Sequence, residues 1–157
     1  MQLKQSNLNV LKVTVLIFSI AVIFNYGWEI AQGFLYLGMS YTENIWWHCF
    51  IASLGDAILV LMIYLTGIAV FHHAYWFIAP NNRRYVAMVS VGLLIGLATE
   101  YIGVSVLHRW SYSDGMPIIF GTNIGIVPVL QMVALPPIIF ALVSRLITRW
   151  AKTHIIV

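Results

Sequence analysis

Four long apolar stretches, residues 13–37, 46–71, 85–107 and 118–147, constrain this chain more than any other feature. Each reaches the roughly 20 residues that an α-helix needs to cross a bilayer. In hydrocarbon every backbone N–H and C=O must be paired internally, which leaves helices and closed barrels as the spanning structures. No period-two alternation competes with the helical reading. Only 8% of the 157 residues are charged and 61% are apolar, where a soluble domain carries about a quarter charged. The expectation is an all-α, four-helix transmembrane bundle forming one integral membrane domain over residues 1–157. Lys4 and Lys12 followed by an apolar run imitate a signal peptide. The run continues through Leu35 without a small-x-small cleavage site, so a retained helix is expected.

The connections 40–44, 80–84 and 111–117 carry the polar and turn-forming residues. Lys4, Lys12, Arg83, Arg84, Arg145, Arg149 and Lys152 all fall on one side of a four-span topology, and only Arg109 falls on the other. The positive-inside rule then puts both termini in the cytoplasm, in a bacterial inner (plasma) membrane. With the basic residues at segment ends, the net charge of +3 is not a nucleic-acid footprint, and no nucleic-acid partner is expected. Trp46, Trp47, Trp76, Trp110 and Trp150 lie near segment ends, where indole rings favour the membrane interface. Cys49 is the single cysteine, so no intramolecular disulfide or CxxC site exists.

The polar residues inside the spans are not scattered. Asn25, Trp28, Glu29, Gln32 and Tyr36 share one face of the first helix. His48, Ala52 and Asp56 follow at i, i+4 and i+8 on the second. Gly92, Gly96, Glu100 and Gly103 form one stripe on the third, and Asn123 and Gln131 share a side of the fourth. At about 1.5 Å rise per residue, all of them fall in the outer half of the membrane. The cytoplasmic halves are almost purely aliphatic. Gly92-x-x-x-Gly96 and Gly121-x-x-x-Gly125 read as helix-packing contacts, and Pro128 is expected to kink the fourth helix.

Glu29, Asp56 and Glu100 each cost about 2.5–3.5 kcal/mol in a membrane when unpaired, so an intramembrane site is the default hypothesis. The cations on offer are His48 and Arg109, with His108 next door. With so few, at least one carboxyl group is expected to hold its proton, as an acid needs. A network that only clamps the helices is the competing interpretation. His48 with the three acids would make a nitrogen/oxygen metal set, but Glu-x-x-His and His-x-x-x-His spacings are missing, so no metal and no cofactor is expected. No elbow motif surrounds Ser53, Ser105, Ser111 or Ser113, which leaves nucleophilic catalysis without support.

The pattern Trp110-Ser-Tyr112, Ile124-Gly125, Pro128-x-x-Gln131 and Pro136 resembles the membrane domain of the heterodimer-type lycopene cyclases. Glu100, Gly103, Trp110 and Tyr112 are similarly placed to the Glu, Gly and aromatic-x-Tyr turn of carotenoid hydratase-type membrane proteins. The likeness covers residues 100–137. Where those cyclases carry carboxylates after the Pro, this chain has Leu130 and Gln131. The whole chain also resembles a family of small bacterial polytopic membrane proteins, through Trp28-Glu29 with Gln32, His48 with Ser53-Leu54-Gly55-Asp56-Ala57, and Trp110 and Tyr112 with Met116-Pro117. That second likeness brings no function with it.

Two functional classes follow. One is a proton-transfer enzyme of the cyclase, hydratase or isomerase type acting on an isoprenoid or other membrane lipid. Glu100 would be its acid/base, Glu29 and Asp56 tuning carboxylates, and His48 a proton partner. Trp28, Gln32, Trp110, Tyr112, Asn123 and Gln131 would line the substrate. The other is a non-catalytic scaffold or accessory subunit, in a homo- or hetero-oligomer, whose polar cluster fixes helix packing.

Overall fold

Hydrocarbon-length apolar segments do fold as four long helices. The computed structural model describes residues 10–39 and 45–153, without the side chains of 152 and 153. Lys4 and the 40–44 connection lie outside the described residues, as does the Lys152 side chain. Helix α1 runs Val10–Gln32 and closes with a 3₁₀ turn, Gly33–Leu35; α2 is Ile45–Phe71; α3 is Asn82–Glu100, continued by a π-helical turn, Tyr101–Val106; α4 is Ile126–Thr153. All four are long and apolar enough to span a bilayer, and the chain is an integral membrane protein. Asn81 caps α3 by accepting the Arg84 N–H at 3.1 Å, the role its short polar side chain favours.

Two halves differ in what fills them. At the end holding Lys12, Arg84 and Arg145, the interior is apolar. Val13, Ile17, Ile63, Tyr64, Met88, Ile139, Phe140 and Val143 are buried together. Trp76 belongs to this core rather than to the interface where its position near a segment end would put it. It is 1% exposed, lies flat on Gly67 where any Cβ would overlap the indole, and donates to the Tyr64 carbonyl at 3.1 Å. Trp46, Trp47 and Trp150 are exposed, as interfacial rings should be. Lipid tails are as apolar as leucine, so association between the helices depends on close packing more than on hydrophobicity. The Gly92/Gly96 stripe supplies it: a Cβ at Gly92 would strike the Met132 carbonyl, and one at Gly96 would sit 3.3 Å from the Val129 Cα.

The fourth span begins later than its apolar composition implies. Residues 118–125 form a hairpin instead of helix, with Ile118 bridged to Gly125 and the Ile126 N–H on the Pro117 carbonyl at 2.8 Å. Gly121 turns it with φ +75, a conformation other residues adopt at a cost. Gly121 and Gly125 are therefore not a helix-packing pair. Pro128 falls in the first turn of α4, where its missing N–H has no intrahelical acceptor to lose. It does not kink the helix. Pro136 and Pro137 lie within α4, which runs on past them.

The candidate site at the Arg109 end

The segment between α3 and α4 folds back over the end of α1. The Leu37 N–H meets the Ser111 carbonyl and the Ser113 N–H meets the Leu35 carbonyl, both at 2.9 Å, pairing Tyr36 with Tyr112. Their rings stack obliquely, 5.5 Å between centroids. The π turn after Glu100 makes this return path. It ends with the Arg109 N–H on the Gly103 carbonyl (2.8 Å) and His108 at φ 49, and such π turns are frequent at functional sites. Trp110 then drops onto Gly103, where no Cβ fits.

Beneath this cover the polar side chains form two connected units. The first is a clamp centred on Gln131, which is 2% exposed. Its Nε2 donates to Asn25 Oδ1 at 2.8 Å and to Asp56 Oδ2 at 2.7 Å, while its Oε1 accepts from Gln32 Nε2 at 3.1 Å. Gln32 also donates to Glu29 Oε1 (2.6 Å) and accepts the Trp28 indole N–H (3.1 Å). Asn25 Nδ2 closes the chain on the Ala21 carbonyl at 2.8 Å. The clamp ties α1, α2 and α4 together with every amide group used. Glu29 and Asp56 face the same cavity from α1 and α2.

The second unit is Glu100 with Tyr112. The Tyr112 hydroxyl donates to Glu100 Oε2 and accepts the Gly125 N–H at 3.2 Å. A backbone amide of the hairpin thereby orients the phenol that orients the acid. The Trp110 indole lies beside the same carboxyl group. Its N–H, although buried, makes no hydrogen bond. Tyr36 completes the wall.

Both units face one cavity of about 630 Å³ between α2 and α3, within the usual range for small-molecule sites. Glu29, Asp56, Glu100, His48, Trp110 and Gln131 all line it. Apolar walls come from Ile51, Leu59, Pro128 and Met132. Gln32 stands behind as the partner of Glu29, and Trp28 as the partner of Gln32. Asn123 is not part of the site: it is exposed on the 118–125 hairpin, because that stretch is not helical. His108 is exposed too, its Nδ1 at 3.0 Å from the Val104 carbonyl. Gln32, Gln131 and Tyr112 donate to Glu29, Asp56 and Glu100, so amides and a phenol serve the carboxyl groups. Among the described residues no three His, Cys, Asp or Glu side chains are grouped to hold a metal ion.

Asn25, Tyr36, Trp47 and Gly125 are contributors not named from sequence as site residues. Asn25 and Tyr36 share the Glu29 helix face, which was the available signal; the Gly125 N–H carried none. Compared with protein-family models, curated proteins and solved structures, the chain matches none of them.

Proposed function

We propose that this protein is a membrane-embedded proton-transfer enzyme, of the cyclase, hydratase or isomerase type, acting on an isoprenoid or similarly unsaturated lipid. The observation that carries it is Glu100: a buried carboxyl group on the wall of a largely apolar cavity, held by the Tyr112 hydroxyl. Protonation of a carbon–carbon double bond by Glu100 would leave a carbocation. Trp47 and Trp110 at the cavity wall offer ring faces to stabilise it. Loss of a neighbouring proton back to Glu100 completes a cyclisation or isomerisation, and capture of water, with one of its protons passing to Glu100, completes a hydration. Tyr112 positions the acid. Glu29 and Asp56 line the same cavity.

The basic residues on one side favour cytoplasmic termini and a cavity in the outer half of the membrane. Comparing the lipids of cells that express the native chain with those expressing Glu100→Gln tests the assignment. A specific unsaturated lipid should accumulate unconverted with Glu100→Gln at equal protein levels. Identical lipid profiles would remove it.

The Gln131 clamp favours a second reading for the rest of the cluster. Its bonds are satisfied within the protein and connect three helices, as a purely structural device requires. If Glu100→Gln changes only stability, the protein is a scaffold or accessory subunit.

A further inference from the structure

We infer that the cavity opens sideways into the bilayer between α2 and α3, and that Gly55 at this opening determines how bulky a lipid chain reaches Glu100. This deepens the proposed function and rests on its lipid site. The two antiparallel helices touch at Ile63 and Gly92, where a Cβ on the glycine would lie 3.6 Å from the Ile63 Cδ1. Toward the Arg109 end both helices line the cavity instead, α2 with Ile51, Gly55 and Leu59, and α3 with Gly96, Thr99 and Glu100. Gly55 and Glu100 each lie eight residues beyond that contact, about 12 Å along their axes. The glycine and the acid therefore stand at matching depth on the two helices that bound the gap.

Exposure gives the direction in which the gap faces. Ile51 is 50% exposed and Gly55 is exposed, although both line the cavity. Gly55 lies ten residues into α2, about 15 Å from its start, a depth at which the surroundings are acyl chains. What approaches an opening there is a molecule dissolved in the bilayer, and the apolar Ile51 and Leu59 beside it suit a hydrocarbon chain. Ile51, Gly55 and Leu59 follow at spacings of four on one stripe of α2. A side chain at position 55 would complete a row of bulky groups across the gap. The glycine is not there to pack helices: a Cβ on Gly55 meets nothing within 4 Å, whereas one on Gly92 strikes the Met132 carbonyl. Its effect is width, at the level of the acid.

The test uses the purified full-length chain in nanodiscs and a farnesol analogue carrying a photoreactive diazirine in its terminal isoprene unit. After irradiation, peptide mass spectrometry should find adducts on Thr99 and Met132, which line the cavity, and on Leu94, which is exposed and outside it. Gly55→Phe should lower the cavity adducts at least tenfold while leaving the Leu94 adduct and the melting temperature unchanged. Gly55→Leu should be intermediate and Gly55→Ala close to native. Ile51→Trp, at the same rim, should lower the cavity adducts without touching position 55. Labelling of Leu94 alone in the native chain overturns the lateral opening. Cavity adducts that survive Gly55→Phe overturn the role of Gly55, and so does a fall in melting temperature with Gly55→Ala, which would make the glycine a packing residue. Cavity labelling governed by position 55 in a protein that converts no lipid would retain the opening and remove the chemistry. Lipid conversion undiminished by Gly55→Phe and Ile51→Trp would do the reverse.

Discussion

Replacing Gln131 by leucine keeps the volume of a nearly fully buried side chain and removes three side-chain hydrogen bonds, to Asn25, to Asp56 and from Gln32. Interhelical hydrogen bonds inside membranes average about 0.6 kcal/mol and reach about 1.7, so the bonds alone contribute roughly 2–5 kcal/mol. Asn25 keeps its bond to Ala21 and Gln32 its bond to Glu29, which limits the penalty for stranded partners. The expected loss for Gln131→Leu is about 2–4 kcal/mol, since a buried polar group left without a partner itself costs about 1–3 kcal/mol. Reversible unfolding in mixed micelles measures it, and a double-mutant cycle with Asn25→Val isolates one bond. That coupling should fall near the membrane average. A Gln131→Leu change within about 0.5 kcal/mol of native, or strict additivity with Asn25→Val, would refute the clamp, because contacting residues couple.

Three further outcomes follow from the geometry. Pro128→Ala should shift stability by less than about 1 kcal/mol, because a first-turn proline disrupts no intrahelical bond; a large change would restore a kink at this residue. Gly103→Val should drive the Trp110 ring off its seat and change its fluorescence and the binding of cavity ligands, while unaltered emission would contradict that packing. Cysteine-accessibility labelling should find Asp114 outside and Asn82 inside, since the basic residues mark the cytoplasmic side. External labelling at Asn82 would invert the topology.

Sequence revealed the spans because hydrocarbon length and internal backbone pairing leave few alternatives. The shared face of Glu29 and Gln32, and that of His48 and Asp56, were legible for a related reason: helical spacing alone decides which side chains project together. Residues 118–125 were not legible in the same way. An apolar hairpin at a membrane boundary has the composition of a helix start, and Gly121 at positive φ distinguishes it only once the backbone is seen. Trp76 was misplaced because nearness to a segment end does not reveal the slot that Gly67 opens on α2, where the indole also bonds the Tyr64 carbonyl. The partners of the acids also escaped the sequence. Opposite charge suggested His48 and Arg109, whereas burial selected Gln32, Gln131 and Tyr112, which satisfy carboxyl groups without bringing in a second ion.

Solvent-hydrogen incorporation reaches the central claim most directly. Any cyclisation, hydration or isomerisation begun by Glu100 moves a proton onto carbon, so the lipid extracted from protein incubated in D₂O should carry deuterium. Mass spectrometry of an organic extract from native protein in mild detergent should reveal one dominant isoprenoid-type lipid heavier by one or more deuterons. The same lipid from Glu100→Gln should be present without label, and label should fall at least tenfold with Tyr112→Phe. Recovery of bulk phospholipid alone, or equal labelling in the native protein and Glu100→Gln, would contradict the proposal that this cavity carries out proton transfer.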